Sequence, residues 1–128
     1  MEKLDYIVIN RNIQDDPLWL CEKFSKGQAL LDLLFLAKQE DSKHSIRGNW
    51  VRVKRGQIAI SERFFSERWK WSRGKVRGFL KYLENEGLIT QQKNNKISIL
   101  TIVNYDNYVF SPSLPRHNFF AKYSRRIQ

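Results

Sequence analysis

A single cysteine, Cys21, excludes an intramolecular disulfide and any zinc site built from cysteines, and it fits a reducing compartment. Beside Leu20 it reads as buried apolar filler. The two histidines, His44 and His117, lie in polar stretches without a second histidine or a close carboxylate pair. Neither metal binding nor general-base chemistry is indicated there. There is no glycine-rich phosphate loop of the P-loop or dinucleotide type. No apolar run approaches the ~20 residues of a membrane span, and residues 1–5 do not read as a signal peptide. These shortages argue against an enzyme, a metal, a cofactor and a membrane, and point to a cytoplasmic protein.

Acid is scarce in one part of the chain. Twenty-three Lys and Arg against 13 Asp and Glu give a net charge of +10 over 128 residues. Residues 1–40 hold five cations and seven anions, so residues 41–128 carry the other 18 cations against only six anions. A polarised basic surface is the footprint of a polyanionic partner. With 41% hydrophobic and 13% aromatic residues, the chain has the means to build a core of single-domain size.

Along the chain, Tyr6-Ile7-Val8-Ile9 is a short strand candidate. Asp16-Pro17 starts a short helix through Leu20, since proline suits a first helical position. Ser25 with Gln28 three residues later is a capping-box pattern, opening a helix to about Gln39. Its run of Ala29, Leu30, Leu31, Leu33, Leu34, Phe35, Leu36 and Ala37 is apolar nearly all round, the mark of a central core helix. Residues 40–49 read as a polar loop. Residues 50–53 and 57–60 read as two strands about Lys54-Arg55-Gly56. Ser61 caps a helix whose buried side is Phe64, Phe65 and Trp69. Trp71-Ser72 makes the turn into the next helix, and residues 88–91 and 97–102 are strands joined by the polar tip Gln92-Lys93-Asn94-Asn95-Lys96, a hairpin. No internal repeat is present.

The helix after Ser72 is the most informative element. Ser72 is a good N-cap and Gly87 a good C-terminal stop. Val76, Phe79, Leu80 and Leu83 recur at i, i+3, i+4 and i+7, so one stripe faces a core. The opposite side carries Gly74, Arg77, Gly78, Lys81 and Asn85, flanked by Arg73 and Lys75, with no acid before Glu84 and Glu86. Cations near a helix N-terminus oppose the helix dipole. A glycine in a helix interior costs about 1 kcal/mol against alanine. Both features make sense where a flat, negatively charged surface approaches closely.

The order helix, helix, helix and two-stranded wing, with an extra hairpin before the second helix, predicts an α+β winged helix-turn-helix, a three-helix core with small antiparallel hairpins. Residues 1–109 form that DNA-binding domain, and residues 110–128 form a basic tail. RGQIAIS, then WSRGKVRGFLKYLENEGLIT, then TIVNYDNY resembles the N-terminal winged-helix domain of phage and mobile-element replication initiators, the replisome organisers related to DnaD-type primosome proteins. The resemblance covers roughly residues 46–108. It rests most on Arg55-Gly56-Gln57, Trp71-Ser72, Lys75-Val76-Arg77, residues 83–89 and Asn104-Tyr105-Asp106-Asn107-Tyr108. It implies origin-DNA binding in replication initiation, and similar domains also serve transcription regulators.

The expected DNA-binding residues are Ser72, Arg73, Gly74, Lys75, Arg77, Gly78 and Lys81 on the helix, with Lys93, Asn94, Asn95 and Lys96 on the wing. Gln92 is a further polar wing residue. Helix N-terminal residues reach base edges and flanking ones meet phosphate. Arg63, Arg68 and Lys70 on the preceding helix are further phosphate candidates. Arg52, Lys54 and Arg55 are either such contacts or a solvent face. Trp69 and Trp71 read as core, with stacking on unpaired bases as the sharper alternative. Phe119, Phe120 and Tyr123 among Lys122, Arg125 and Arg126 are either a nucleic-acid arm or a docked terminal helix. The expected partner is double-stranded DNA, with a homodimer and replication proteins as further candidates. A protein-interaction module with a basic face, and single-stranded nucleic-acid binding, are the other readings.

Overall fold

The computed structural model describes residues 7–46, 48–93 and 98–109. Within them the chain is α+β, with four α-helices and two small antiparallel sheets. A 3-10 turn (Arg11–Asp15) precedes α1 (Pro17–Leu20) and α2 (Lys26–Leu36). β1 (Ser42–Ile46), β2 (Asn49–Val53) and β3 (Gln57–Ile58) follow. Next come α3 (Glu62–Trp69), α4 (Arg73–Asn85), β4 (Ile89–Lys93) and β5 (Ser98–Ile102), and a 3-10 turn at Tyr105–Asn107. Among the described residues no helix is long and apolar enough to cross a membrane.

Each helix begins at a side-chain cap. Asp16 Oδ1 accepts from Leu18 N at 2.8 Å, Ser25 Oγ from Gln28 N at 3.1 Å, Ser61 Oγ from Phe64 N at 3.2 Å and Ser72 Oγ from Lys75 N at 3.1 Å. The reciprocal half of the expected capping box at α2 is replaced. Gln28 Nε2 donates instead to the Trp19 carbonyl at 2.7 Å, tying α1 to the start of α2. α2 stops at Leu36, three residues short of Gln39. Ala37 turns extended so that Lys38 N can donate to the Gln57 carbonyl and Gly56 N to the Lys38 carbonyl, at 3.0 and 2.8 Å.

The sheets differ from the expected pairing. β2 does not pair with β3. It pairs with β1, in the segment that reads as polar loop, with Lys43 opposite Arg52 and Ser45 opposite Trp50. β3 joins the other sheet, whose order is β3-β5-β4. SKHSI has no apolar alternation of its own, and only its partner strand makes it β. Residues 7–9 adopt no regular element, and Ile7 and Val8 are exposed, contrary to the strand expected there. Tyr6 lies outside the described residues.

The core is aromatic where α3 meets α4. Trp69 stacks on Phe65 at 4.6 Å between centroids and meets Trp71 edge-on at 5.0 Å, and Trp71 meets Phe79 edge-on at 5.2 Å. Val76, Phe79, Leu80 and Leu83 of α4 are buried against this group, as their spacing predicts. Trp69 and Trp71 are core residues and have no ring face to offer a base. Phe64, expected on the buried side of α3, is exposed. Cys21 is also exposed rather than buried.

The most consequential residue of α2 is polar. Asp32 is fully buried, and its carboxylate accepts from Trp19 Nε1 at 3.0 Å, Trp69 Nε1 at 2.8 Å, and Arg68 Nε and Nη2 at 2.6 and 2.9 Å. Arg68 Nη2 also donates to the Gln14 carbonyl at 2.8 Å. Arg68 is therefore a structural residue and not a phosphate contact. α2 is not buried all round, since Leu31 faces solvent.

A second lock joins the Arg55-Gly56-Gln57 segment to the turn at Tyr105–Asn107. Arg55 Nε donates to Asp106 Oδ1 at 2.8 Å, Nη1 to the Gln39 carbonyl at 2.6 Å, and the guanidinium lies 4.8 Å from the Tyr105 ring centre. Gly56 has φ +82°, and a Cβ there would sit 2.9 Å from Tyr105 Cβ. Tyr105 Oη in turn accepts from Arg11 Nη2 at 3.0 Å. Arg55 thus points inward, away from any phosphate.

Removing one member of a buried ion pair costs about 3–5 kcal/mol because the other charge is stranded. Asp32→Ala is expected to lower unfolding free energy by that order in urea denaturation, with Arg68 and two indole N–H groups left without their acceptor.

Candidate nucleic-acid interface

Three residues connect α3 to α4. Lys70 takes the left-handed conformation at φ 58°, ending α3, and its ammonium donates to the Leu20 carbonyl at 2.6 Å. Trp71 then anchors in the core through Nε1, which donates to the Phe24 carbonyl at 2.8 Å, and Ser72 caps α4. The aromatic packing on one side of α4 leaves Arg73, Gly74, Arg77, Gly78, Lys81 and Asn85 exposed on the other. Lys75 is half-buried, with Nζ 4.3 Å from the centre of the Trp71 ring.

An acid enters this face from another helix. Glu62, the first residue of α3, accepts from Arg77 Nε and Nη2, both at 3.1 Å, and lies 3.8 Å from Arg73 Nη2. Its side chain is only 20% exposed, whereas that of Arg77 remains 61% exposed. Arg77 is paired but not covered. An arginine has five N–H donors, and three of those on Arg77 are not used by Glu62. The wheel of α4 alone shows no such acid, because the pairing depends on how α3 crosses it.

Lys81 makes no ion pair or hydrogen bond among the described residues. With Arg77, Glu84, Gln91 and Lys93 it lines an open groove between α4 and β4. Glu84 Oε2 accepts from Gln91 N at 3.1 Å and fixes the strand to the helix. Gln92 and Lys93 are exposed on β4. Asn94, Asn95 and Lys96 lie outside the described residues, as do the aromatic and basic residues of the 110–128 tail. Arg63 bonds Glu67 one turn on in α3 at 3.0 Å, with both side chains exposed.

Neither Gly74 nor Gly78 has an internal reason to be glycine. A Cβ built on either meets nothing within 4 Å, and both have ordinary helical φ. Gly74 sits in the first turn, where helix propensity matters less, but Gly78 is mid-helix. No protein-family model matches this chain, and no curated protein or solved structure matches it.

The Glu62 carboxyl is held below the ordinary glutamate range, first by the hydrogen bonds from Arg77, then by the charges of Arg77, Lys93 and Arg73, which together outweigh its partial burial. Arg77 is correspondingly shifted upward by the same bonds. A depressed carboxylate contributes stability above its unfolded value of about pH 4.3, and that contribution is lost as pH falls through the folded value. In chemical denaturation, wild type is expected to exceed Glu62→Gln in stability at pH 7, with the gap closing as pH falls below about 4.

Proposed function

We propose that this chain is a winged helix-turn-helix protein that binds double-stranded DNA in a sequence-specific manner, with α4 in the major groove and the β4–β5 hairpin beside it. The element order α2-β3-α3-α4-β4-β5 and the sheet order β3-β5-β4 support that fold. The observation that carries the function is the outer face of α4. It combines exposed cations near a helix N-terminus with two glycines that leave open space for a close neighbour. A duplex supplies both the charge and the flat approach. Arg77, oriented by Glu62 with donors to spare, suits paired bonds to guanine O6 and N7. Arg73, Lys81 and Lys93 suit phosphate.

A role in replication initiation for a phage or mobile element rests on the resemblance of residues 46–108. Its most specific pieces, Arg55-Gly56-Gln57 and Asn104 to Tyr108, are occupied by internal packing. They speak for the fold and not for the target. A transcription regulator would use the same face, and the position of the bound site, at an origin or an operator, separates the two roles.

Gly78→Ala separates folding from binding. It is expected to raise folding stability by about 1 kcal/mol while weakening duplex affinity in an anisotropy titration. Equal or tighter binding would count against close approach at this face. On a site selected from a random duplex pool, Arg77→Ala should cost about 1–3 kcal/mol and relax discrimination. Lys81→Ala should weaken all sequences alike and reduce the salt slope by about 1.

A further inference from the structure

The β1–β2 hairpin presents two chemically different faces. Ser42, His44 and Ile46 with Val51 and Val53 form the side turned toward the protein, and Val53 is fully buried. The other side carries Lys43, Ser45, Trp50 and Arg52, all exposed. Lys54 continues the same alternation just beyond β2.

Two features of that outer side are unfavourable for an isolated domain. Lys43 stands directly opposite Arg52 in the register, and like charges at facing positions repel. Trp50 is 75% exposed on a side where alternation calls for a polar residue. The other three tryptophans each donate their indole N–H to an internal acceptor, Asp32 for Trp19 and Trp69 and the Phe24 carbonyl for Trp71. The side chains of Trp50, Lys43, Arg52 and Lys54 make no hydrogen bond or ion pair among the described residues. The nearest acid in sequence, Asp41, accepts from the Arg55 backbone N–H at 2.9 Å.

We propose that this hairpin face is a second nucleic-acid contact, taking a single strand whose unpaired base stacks on Trp50 while Lys43 and Arg52 meet the flanking phosphates. An anionic backbone relieves the repulsion between the facing cations. The indole supplies the sequence-tolerant stacking platform that single-strand sites use. A duplex has no free base face for the ring. A protein interface would surround the tryptophan with apolar neighbours, and its facing and alternate neighbours here are Ser45 and Arg52. The site is separate from α4 and stands independently of the duplex reading.

The test uses the full chain and a fluorescein-labelled oligothymidylate of about 20 nucleotides, titrated at fixed low salt. Wild type should bind, and oligothymidylate should protect its exposed tryptophan emission from iodide quenching. Trp50→Ala should weaken this binding by about tenfold, the scale of one lost stacking contact. Trp50→Phe should recover most of the affinity. The Lys43→Gln/Arg52→Gln double variant should lower the salt slope by about 1.4, two phosphate contacts on a single strand. Duplex affinity should be unchanged in Trp50→Ala and reduced in Arg77→Ala, so the two surfaces are scored apart. Circular dichroism of each variant checks that the fold is intact. Wild-type affinity in Trp50→Ala, equal losses on single strand and duplex, or quenching unaffected by saturating oligonucleotide would overturn the proposal.

Discussion

The buried carboxylate of Asp32 holds together parts of the chain that have little else in common. Trp19 of α1 and Arg68 and Trp69 of α3 all donate to it, and Arg68 extends the link to the Gln14 carbonyl. Burying a charge is tolerable only when it is paired and its lone pairs are filled. Here four N–H donors fill them. The geometry that satisfies Asp32 also fixes the axial position and rotation of α3, because Arg68 and Trp69 are adjacent residues on its last turn. α4 follows after a three-residue turn, so its orientation inherits that constraint.

That inheritance is what assembles the basic face. With α3 fixed, Glu62 at its start comes within hydrogen-bond distance of Arg77, about one and a half turns along α4 from its Ser72 cap. The carboxylate neutralises part of the local charge and limits the rotamers of Arg77, while Lys81 keeps its charge unopposed nearby. The face is therefore not a uniform cationic patch. It contains one oriented guanidinium beside the ammonium of Lys81, unpaired among the described residues, a directional donor set next to a point charge.

A short motif can stand out in a sequence for reasons of architecture. Arg55-Gly56-Gln57 and the Asn104–Tyr108 stretch lie about 50 residues apart and meet as one lock. Gly56 makes room for Tyr105, Arg55 bonds Asp106, and Gln57 donates to Thr101 Oγ1 across the sheet at 3.0 Å. Their polar character would otherwise invite assignment to a ligand. The residues whose chemistry stays unspent inside the fold are different ones: the outer side of α4 and the outer side of the β1–β2 hairpin.

Local patterns determined the helices and their starts. Ser25, Ser61 and Ser72 cap where they stand because a short hydroxyl side chain can reach the orphan N–H groups of the next turn, and the stripe of Val76, Phe79, Leu80 and Leu83 could face only a core. Strand pairing was beyond such patterns. SKHSI becomes β only against NWVRV, and QI finds its partner some 40 residues on, since a ladder's energy lies in the neighbour and not in the strand. The fates of individual charges were likewise decided in three dimensions. Asp32 lies in an apolar run and Arg68 in a polar one, yet each is buried by the other. Glu62 reads as an ordinary first-turn acid until α3 brings it beside Arg77. Charge pairing depends on distances between elements, and those distances exist only once the chain has packed.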